Sequence, residues 1–343
     1  MTLMLLGIGL LMVGSASFVE GSKSFNDKWH YLKLQSIWGI LGLAALFITS
    51  RINLKFIQKN ALIFAGLSIF FLIIVLIPGI GIKVLGARRW LGLGFIGFQP
   101  AELSKLFLSF FWAALVKKNQ PKYLTLFGSL AVAVGLIMLE PDLGSALILI
   151  SIAFSLFWTS GGHFLKILLV GAIGALLVGL LIVTSPYRMS RLKTFLDVSH
   201  DPLGASYQVR QAVIGFGSGG LFGAGLGQSR QKYIYLPEAT TDSIFSVLGE
   251  EFGFVGTVST LCLFLLLIWY GLKVAEKNTD GFERNLAICI SCWIGVQFVL
   301  NTAAITALVP LTGVPLPFIS YGGSSLFVLL SAVGLLINIA KDV

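Results

Sequence analysis

The sequence predicts an all-α polytopic membrane protein whose helices form a single transmembrane domain over residues 1–343. Hydrophobic residues make up 56% of the chain, its mean hydropathy is +0.92, and only 11% of its residues are charged. A soluble domain carries about 25% charged residues. The apolar residues also form separate runs of about 20 residues, the length that an α-helix needs to cross a bilayer.

Ten apolar runs predict about ten transmembrane helices. The predicted spans are Met1–Val19, Tyr31–Ser50, Ala61–Pro78, Ala101–Val116, Tyr123–Glu140, Leu143–Ser160, Leu165–Thr184, Asp242–Leu272, Asn285–Ala307 and Ser324–Ala340. The first run resembles a signal peptide, with small residues at Ser15–Ser17, but it lacks a positively charged leading region, so we expect a retained helix. An even number of spans places both termini on the same side of the membrane.

Lysine and arginine indicate the cytoplasmic side, because connections on that side carry an excess of them. With cytoplasmic termini, the inner connections hold 11 of the 24 basic residues, and the outer segments Lys83–Lys105 and 185–241 hold four and six. Without these two segments, the count is 11 inside against 3 outside. We therefore expect cytoplasmic termini and one long extracytoplasmic loop over roughly residues 185–241.

The net charge of +9 indicates anionic lipids or a phosphate-bearing substrate as partners of a membrane protein, and no nucleic acid. Residues Gly92–Gly97 match G-x-G-x-x-G, but a dinucleotide site requires a βαβ unit, which a membrane boundary does not offer. We expect these glycines to allow re-entrant turns or close helix contacts. No phosphate-binding loop or zinc pattern is present, so no nucleotide cofactor is expected.

A pair of carboxylates precedes the eighth span, within the stretch Tyr235–Gly253. Pro237 suits the first turn of a helix, and a helix that begins there would place Glu238 and Asp242 on one face. A carboxylate at membrane depth is a functional-site hypothesis by default. The alternative is that acidic residues at a helix N-terminus complement the helix dipole.

A second cluster combines basic, aromatic and polar side chains around the fourth span. Its members are Arg88, Arg89, Trp90, Gln99, Glu102 and Lys105. The arginines offer forked donors that suit phosphate, and the tryptophan offers a flat apolar face. The alternative is a patch of snorkelling side chains with an interfacial tryptophan.

Three further segments carry unusual residues. They are the long loop with Arg188, Arg191, Lys193, Asp201–Gly204, Tyr207, Gln208, Arg210 and Ser229–Lys232, the Pro- and Gly-rich stretch Pro310–Ser325, and the acidic turn Glu140–Asp142. Irregular backbone at membrane depth survives only inside the protein or along a cavity. The residues alone thus indicate either an enzyme acting on a phosphate-activated substrate or a transporter, and do not separate the two.

The motifs taken together resemble the SEDS family (shape, elongation, division and sporulation), the membrane peptidoglycan glycosyltransferases. The motifs that match in order are Gly86–Trp90, Gln99–Lys105, Glu140–Gly144, Leu236–Asp242, Gly249–Glu251 and Pro315–Ser325. The glycine-rich segment Gly219–Lys232 is closer to the division member than to the elongation member. The sequence departs from the family at Thr240, where a histidine is usual, and at Ser243, where an aromatic residue is common.

The resemblance implies a polymerase of lipid II at the outer face of the bacterial cytoplasmic membrane, with undecaprenyl pyrophosphate as the leaving group. It implies Asp242 as the catalytic base. The substrate-binding residues that we expect are Glu238, Trp90, Arg88, Arg89, Lys105, Gln99, Glu102, Arg210, Ser320, Tyr321, Gly322 and Ser324.

The implied partners are lipid II, the undecaprenyl-linked glycan, a class B penicillin-binding protein that acts as transpeptidase, and other membrane proteins of cell division. The sequence shows no all-protein metal cage, but Mg²⁺ often binds through one or two carboxylates plus phosphate, so a divalent cation (Mg²⁺ or Mn²⁺) is compatible with this reaction. Alternative functions are a lipid II flippase, an elongation-type polymerase, and a scaffold that only recruits the transpeptidase.

Overall fold

A computed structural model describes residues 1–84, 87–93, 96–116, 122–161, 205–233 and 236–342, with isolated positions between 162 and 204. Its helices are α1 (Thr2–Ala16), α2 (Phe18–Phe25), α3 (His30–Thr49), α4 (Leu54–Lys59), α5 (Ala61–Leu76), α6 (Pro100–Leu115), α7 (Tyr123–Leu139), α8 (Leu143–Thr159), α9 (Ala205–Gly219), α10 (Ile244–Lys277), α11 (Gly281–Ile305) and α12 (Gly323–Ile339). A short 3₁₀ helix, Ala340–Asp342, follows α12.

Hydropathy predicted the helices well. Each predicted span coincides with a helix, except Leu165–Thr184, of which only isolated positions are among the described residues. Among the described helices, α3, α10 and α11 are long and apolar enough to cross a membrane. The pair α1 and α2 would be a fourth such span, bent by 55° at the break between them, and α5, α7, α8 and α12 are shorter apolar helices.

Helix α11 lies at the centre of the bundle and packs against α6, α8, α10 and α12. Asp280 caps its N-terminus, because the carboxylate accepts hydrogen bonds from the backbone N–H groups of Phe282 and Glu283, which α11 itself leaves without partners. Helix α12 packs along α3, and α1 packs against α3 and α10. The central helix can thus place polar side chains deep inside the protein.

The glycine-rich segment before α6 is a small antiparallel sheet, where we expected re-entrant turns. Its strands are β1 (Gly81–Val84), β2 (Ala87–Leu93) and β3 (Ile96–Phe98), in the order β1-β2-β3. Trp90 pairs with Ile82, and Gly92 pairs with Gly97. Strand pairing satisfies backbone groups that would otherwise lack partners at a membrane boundary. The strands form antiparallel hairpins and no βαβ unit, so the G-x-G-x-x-G match has no dinucleotide context.

Helix α10 is interrupted at Gly253, where φ is 66° and ψ is −162°. A Cβ atom at this position would lie 2.3 Å from the backbone nitrogen of Gly223, so only glycine allows the loop that follows α9 to pass this closely. The predicted straight span Asp242–Leu272 therefore consists of two parts. The first, buried part packs against that loop.

Candidate active site

Asp242 lies in a loop, residues 236–243, that precedes α10. The helix begins at Ile244, so the prediction that Glu238 and Asp242 share a helical face is wrong. Glu238 is exposed and has a φ of 52°, and its carbonyl accepts hydrogen bonds from the N–H groups of Thr241 and Ser243 at 3.2 and 3.0 Å. These turns leave Asp242 half-buried, one position before the N-cap of α10.

Three consecutive carbonyls of this loop accept hydrogen bonds from outside it. The Tyr321 N–H donates to Thr240 at 2.9 Å, and the Ser320 hydroxyl donates to Thr241 at 2.6 Å. The Asn301 amide donates to Asp242 at 2.8 Å. In a helix, these carbonyls would accept bonds from N–H groups four residues later. The external donors explain why no helix begins at Pro237, and they fix the backbone at Asp242.

Further amide side chains hold the surroundings of this loop. Gln35 donates to the Ser320 carbonyl at 3.1 Å and accepts from the Gly322 N–H at 3.2 Å. Gln208 donates to the Ser243 hydroxyl at 2.9 Å. Gln35 and Asn301 were missed by sequence reasoning, although a polar amide inside an apolar span is itself a signal of function.

Two buried carboxylates, Glu250 and Glu251, bind residues 229–232, which precede the loop of Asp242 in the chain. The Glu250 carboxylate accepts hydrogen bonds from the Ser229 hydroxyl and from the N–H groups of Arg230 and Gln231. Glu251 accepts from Ser15 of α1 at 2.6 Å and pairs with Lys232 at 3.3 Å. The motif Gly249–Glu251 therefore anchors the backbone of residues 229–232 to α10.

Glu102 and Lys105 form an ion pair inside the bundle. Their oxygen and nitrogen atoms are 2.7 Å apart, and the side chains are only 2% and 1% exposed. Ser325 donates to the second Glu102 oxygen at 3.0 Å. Both side chains lie one turn apart on α6, as their spacing predicted, but they face inward. The Lys105 ammonium is almost fully buried, so binding a pyrophosphate would require this part of the bundle to open.

The ion pair connects to α11 through Gln297. The side-chain oxygen of Gln297, Oε1, lies 3.4 Å from the Lys105 ammonium and accepts a hydrogen bond from the Trp293 indole at 2.8 Å. Its amide donates to the Pro315 carbonyl at 3.0 Å. The network thus joins α6, α11 and the segment Pro310–Ser325.

Strand β2 carries Arg88, Arg89 and Trp90, all half-buried. The register of β2 shifts at Arg89, because Trp90 pairs with Ile82 while Arg88 pairs with the next residue, Lys83. Arg89 is thus an extra residue in the strand, and the usual alternation of faces is interrupted there. The Arg89 guanidinium donates to the backbone carbonyls of Glu140 and Pro141. The Arg89 guanidinium is therefore already bonded to the acidic turn.

The acidic turn after α7 meets this strand. Asp142 caps α8 through Ser145, and Gln99 donates to it at 3.3 Å. Glu140, outside both helices, is 0% exposed, and its carboxyl oxygens have no hydrogen-bond partner within the described residues. Burial, reinforced by Asp142, raises the pKa of Glu140 to about 9. We therefore expect a neutral carboxylic acid at pH 7.

The remaining candidate residues are spread over two elements. Arg210 is exposed on α9. Tyr321 is half-buried, with its ring edge-on to Tyr31 at 4.9 Å, and the Ser324 hydroxyl is buried with no hydrogen-bond partner among the residues that the structure describes. Of the long-loop cluster, Arg188, Arg191 and Asp201–Gly204 lie outside the described residues, as does Tyr235.

No group of three or more His, Cys, Asp or Glu side chains with metal-binding geometry occurs in the part of the chain that the structure describes. A divalent cation at Asp242 would therefore depend on oxygen atoms from a substrate phosphate as well. These side chains alone do not make a metal site.

Comparisons with known proteins cover the whole chain. The family model described as "Cell cycle protein", for FtsW, RodA and SpoVE, matches residues 1–343. A probable peptidoglycan glycosyltransferase FtsW from Trichlorobacter lovleyi is 39% identical, with 99% of this chain and 91% of that protein covered. Stage V sporulation protein E of Bacillus subtilis is 37% identical, with 99% and 95% covered.

Solved structures agree with this assignment. A chain from a peptidoglycan synthase complex, described as coordinating polymerization and crosslinking, has a TM-score of 0.80 at 28% identity, with 99% of this chain and 97% of that chain covered. The rod shape determining protein RodA of Thermus thermophilus has a TM-score of 0.74 at 29% identity, with 99% and 94% covered. Sequence and fold thus agree over the full length, and the chain belongs to the FtsW/RodA/SpoVE family of polytopic membrane proteins.

Proposed function

We propose that this protein is a peptidoglycan glycosyltransferase that polymerises lipid II into glycan strands during cell division. The observation that carries the proposal is the fixed carboxylate-bearing loop at Asp242, in a chain that resembles FtsW proteins over almost their whole length. The active site is placed at the outer face of the bacterial cytoplasmic membrane, with both termini in the cytoplasm. The likeness to a synthase complex supports a class B penicillin-binding protein as the transpeptidase partner.

Asp242 acts as the general base. Its carboxylate takes the proton from a sugar hydroxyl of the acceptor lipid II, and the hydroxyl oxygen forms a bond to the anomeric carbon of the lipid-linked glycan. The bond from that carbon to the pyrophosphate oxygen breaks, and undecaprenyl pyrophosphate leaves with the bonding electrons. Hydrogen bonds to three neighbouring carbonyls hold the base in place, which is the preorganisation that such a step requires.

Cationic and aromatic side chains near this end of the bundle, foremost Arg88 and Trp90, are the candidates for binding substrate. Arg210 is exposed and is therefore accessible to a phosphate group. A divalent cation, when bound, would be held by Asp242 and substrate phosphate oxygens and would neutralise their negative charge.

The test uses purified protein with its transpeptidase partner and labelled lipid II, with glycan products sized on a gel. Asp242→Asn should lower the rate about 10²–10⁴-fold, as loss of a general base does. Asp280→Asn is the matched control, because it makes the same change at the cap of α11, where asparagine also caps well. Near-normal polymer from Asp242→Asn would refute the catalytic assignment. Transport of lipid II without polymer from the wild-type protein would favour a flippase.

A further inference from the structure

Asn301 is a buried amide one turn before the end of α11. It is 2% exposed, and its Nδ2 atom donates two hydrogen bonds, each 2.8 Å long. One goes to the carbonyl of Asp242 and the other to the carbonyl of Val314. A single side chain thus connects the central helix, the loop of the proposed base and the Pro-rich segment Pro310–Ser325.

The position of this amide sets the position of the Asp242 backbone. Thr240 and Thr241 are held by Tyr321 and Ser320, which belong to the same irregular segment that Asn301 holds at Val314. Asn301, by contrast, donates to the Asp242 carbonyl from the central helix, α11. Asn301 therefore holds both the loop of Asp242 and the segment Pro310–Ser325 against α11.

Gln297 repeats the arrangement one helical turn earlier. It donates to the Pro315 carbonyl at 3.0 Å, next to the carbonyl that Asn301 holds. Residues four apart lie on the same helix face, so the two amides satisfy adjacent carbonyls of a segment without regular secondary structure. Only Asn301 extends this arrangement to Asp242.

We propose that Asn301 is a positioning residue for the transferase reaction, which holds the Asp242 carboxylate at its working distance from the acceptor hydroxyl. This inference rests on the proposed role of Asp242 as base. It concerns the chemical step and not substrate affinity, because Asn301 is buried behind the loop. A misplacement of about 1 Å in such a group can lower a rate about 10²-fold.

The same helix contains a matched control. Asn285 is also buried, and its amide donates to the carbonyls of Ala113 and Val116 at 3.3 and 2.7 Å. It lies 16 residues before Asn301, about 24 Å along a helix with a rise of 1.5 Å per residue. Asn285→Leu removes the same type of double hydrogen bond far from Asp242, with a side chain of similar volume.

The experiment measures initial polymerisation rates against lipid II concentration for wild type, Asn301→Leu and Asn285→Leu, all with the transpeptidase partner. We expect Asn301→Leu to lower kcat about 10- to 100-fold with KM within about twofold, as for loss of a contact that matters in the transition state. Asn285→Leu should change neither constant by more than about twofold. A wild-type kcat for Asn301→Leu, an equal loss in both variants, or a loss that is confined to KM would overturn the inference.

A second variant and a second readout cover the case in which Asn301→Leu fails to fold. Asn301→Ser keeps one donor and should lower kcat less. Hydrogen exchange in a peptide over residues 236–246 should be faster in Asn301→Ser than in wild type, and unchanged in Asn285→Leu; unchanged exchange in Asn301→Ser would also overturn the inference. An inactive Asp242→Asn with a fully active Asn301→Leu refutes the positioning role alone, whereas an active Asp242→Asn refutes the proposed base.

Discussion

The buried pair Glu102–Lys105 gives a prediction that separates a structural role from substrate binding. We consider Glu102→Gln, Lys105→Met and the double variant. At 2.7 Å and an effective dielectric constant of about 20, the attraction between two unit charges is about 6 kcal/mol. Removal of the charges from water opposes it by several kcal/mol per ion.

We expect each single variant to lose much of its stability to unfolding, and the double variant to lose little. Each single variant leaves one charge buried without its partner, which destabilises a protein by about 3–5 kcal/mol. The double variant leaves neither charge, so we expect it to lie within about 2 kcal/mol of the wild type, because replacing a whole buried pair is often neutral. The coupling free energy of the double-mutant cycle is then several kcal/mol.

The assay is equilibrium unfolding in mixed detergent micelles, combined with the polymerisation rate of each variant. The exposed pair Lys33–Asp27, with a similar distance of 2.8 Å, is the control, and Asp27→Asn should leave stability nearly unchanged because solvent screens such pairs. If the losses of unfolding free energy from Glu102→Gln and Lys105→Met simply add up in the double variant, the two buried charges do not stabilise each other and the prediction is refuted. A stable but inactive double variant would show that the pair also serves the reaction, either by contact with substrate or through Gln297.

Two further predictions concern β2 and the membrane topology. Arg89→Lys should lower stability by about 1–3 kcal/mol through weakened charge-assisted bonds to the carbonyls of the acidic turn, with KM for lipid II unchanged. Arg88→Lys is the comparison at the neighbouring position. A raised KM at unchanged stability for Arg89→Lys would instead indicate that its guanidinium binds pyrophosphate. For topology, a cysteine at the exposed Gln228 should react with an impermeant thiol reagent from outside, and one at the exposed Thr279 only after permeabilisation. The background is Cys262→Ser, and the reverse pattern would place Asp242 in the cytoplasm.

Hydropathy was sufficient for the helices, because each run of apolar residues is long and its ends are marked by polar residues or caps such as Asp280. It failed for β1 to β3, since strands of three to seven residues rich in glycine give too short a pattern. A separate cause misled the prediction of a helix at Pro237. Local spacing favours that helix, but donors 59 to 81 residues away in the chain occupy the carbonyls of Thr240 to Asp242.

In the candidate site, too, the sequence predicted contacts between residues close in the chain but not contacts between residues far apart in it. The i, i+3 spacing of Glu102 and Lys105 predicted that the two are neighbours. Their partners inside the bundle are distant in the chain: Gln297 lies 192 residues from Lys105, and Ser325 lies 223 residues from Glu102. Likewise, the motifs indicated Asp242 as the base, whereas Asn301, which donates to its backbone carbonyl, lies on α11 and belongs to none of the matching motifs.

The hydrogen-bond network of Glu102 and Lys105 and the network around Asp242 both reach the segment Pro310–Ser325. These contacts explain how an irregular segment is stable among apolar helices. Residues 310–322 of this segment lie outside any regular helix, so their backbone groups need partners from elsewhere. Gln297 and Asn301 supply them from adjacent turns of α11, and Gln35 supplies them from α3. The segment in turn supplies Ser320 and Tyr321 to the loop of Asp242. The Glu102–Lys105 pair holds Gln297 from the opposite side. A change at this buried pair can therefore reach Asp242 through two side chains of α11 without any contact with substrate.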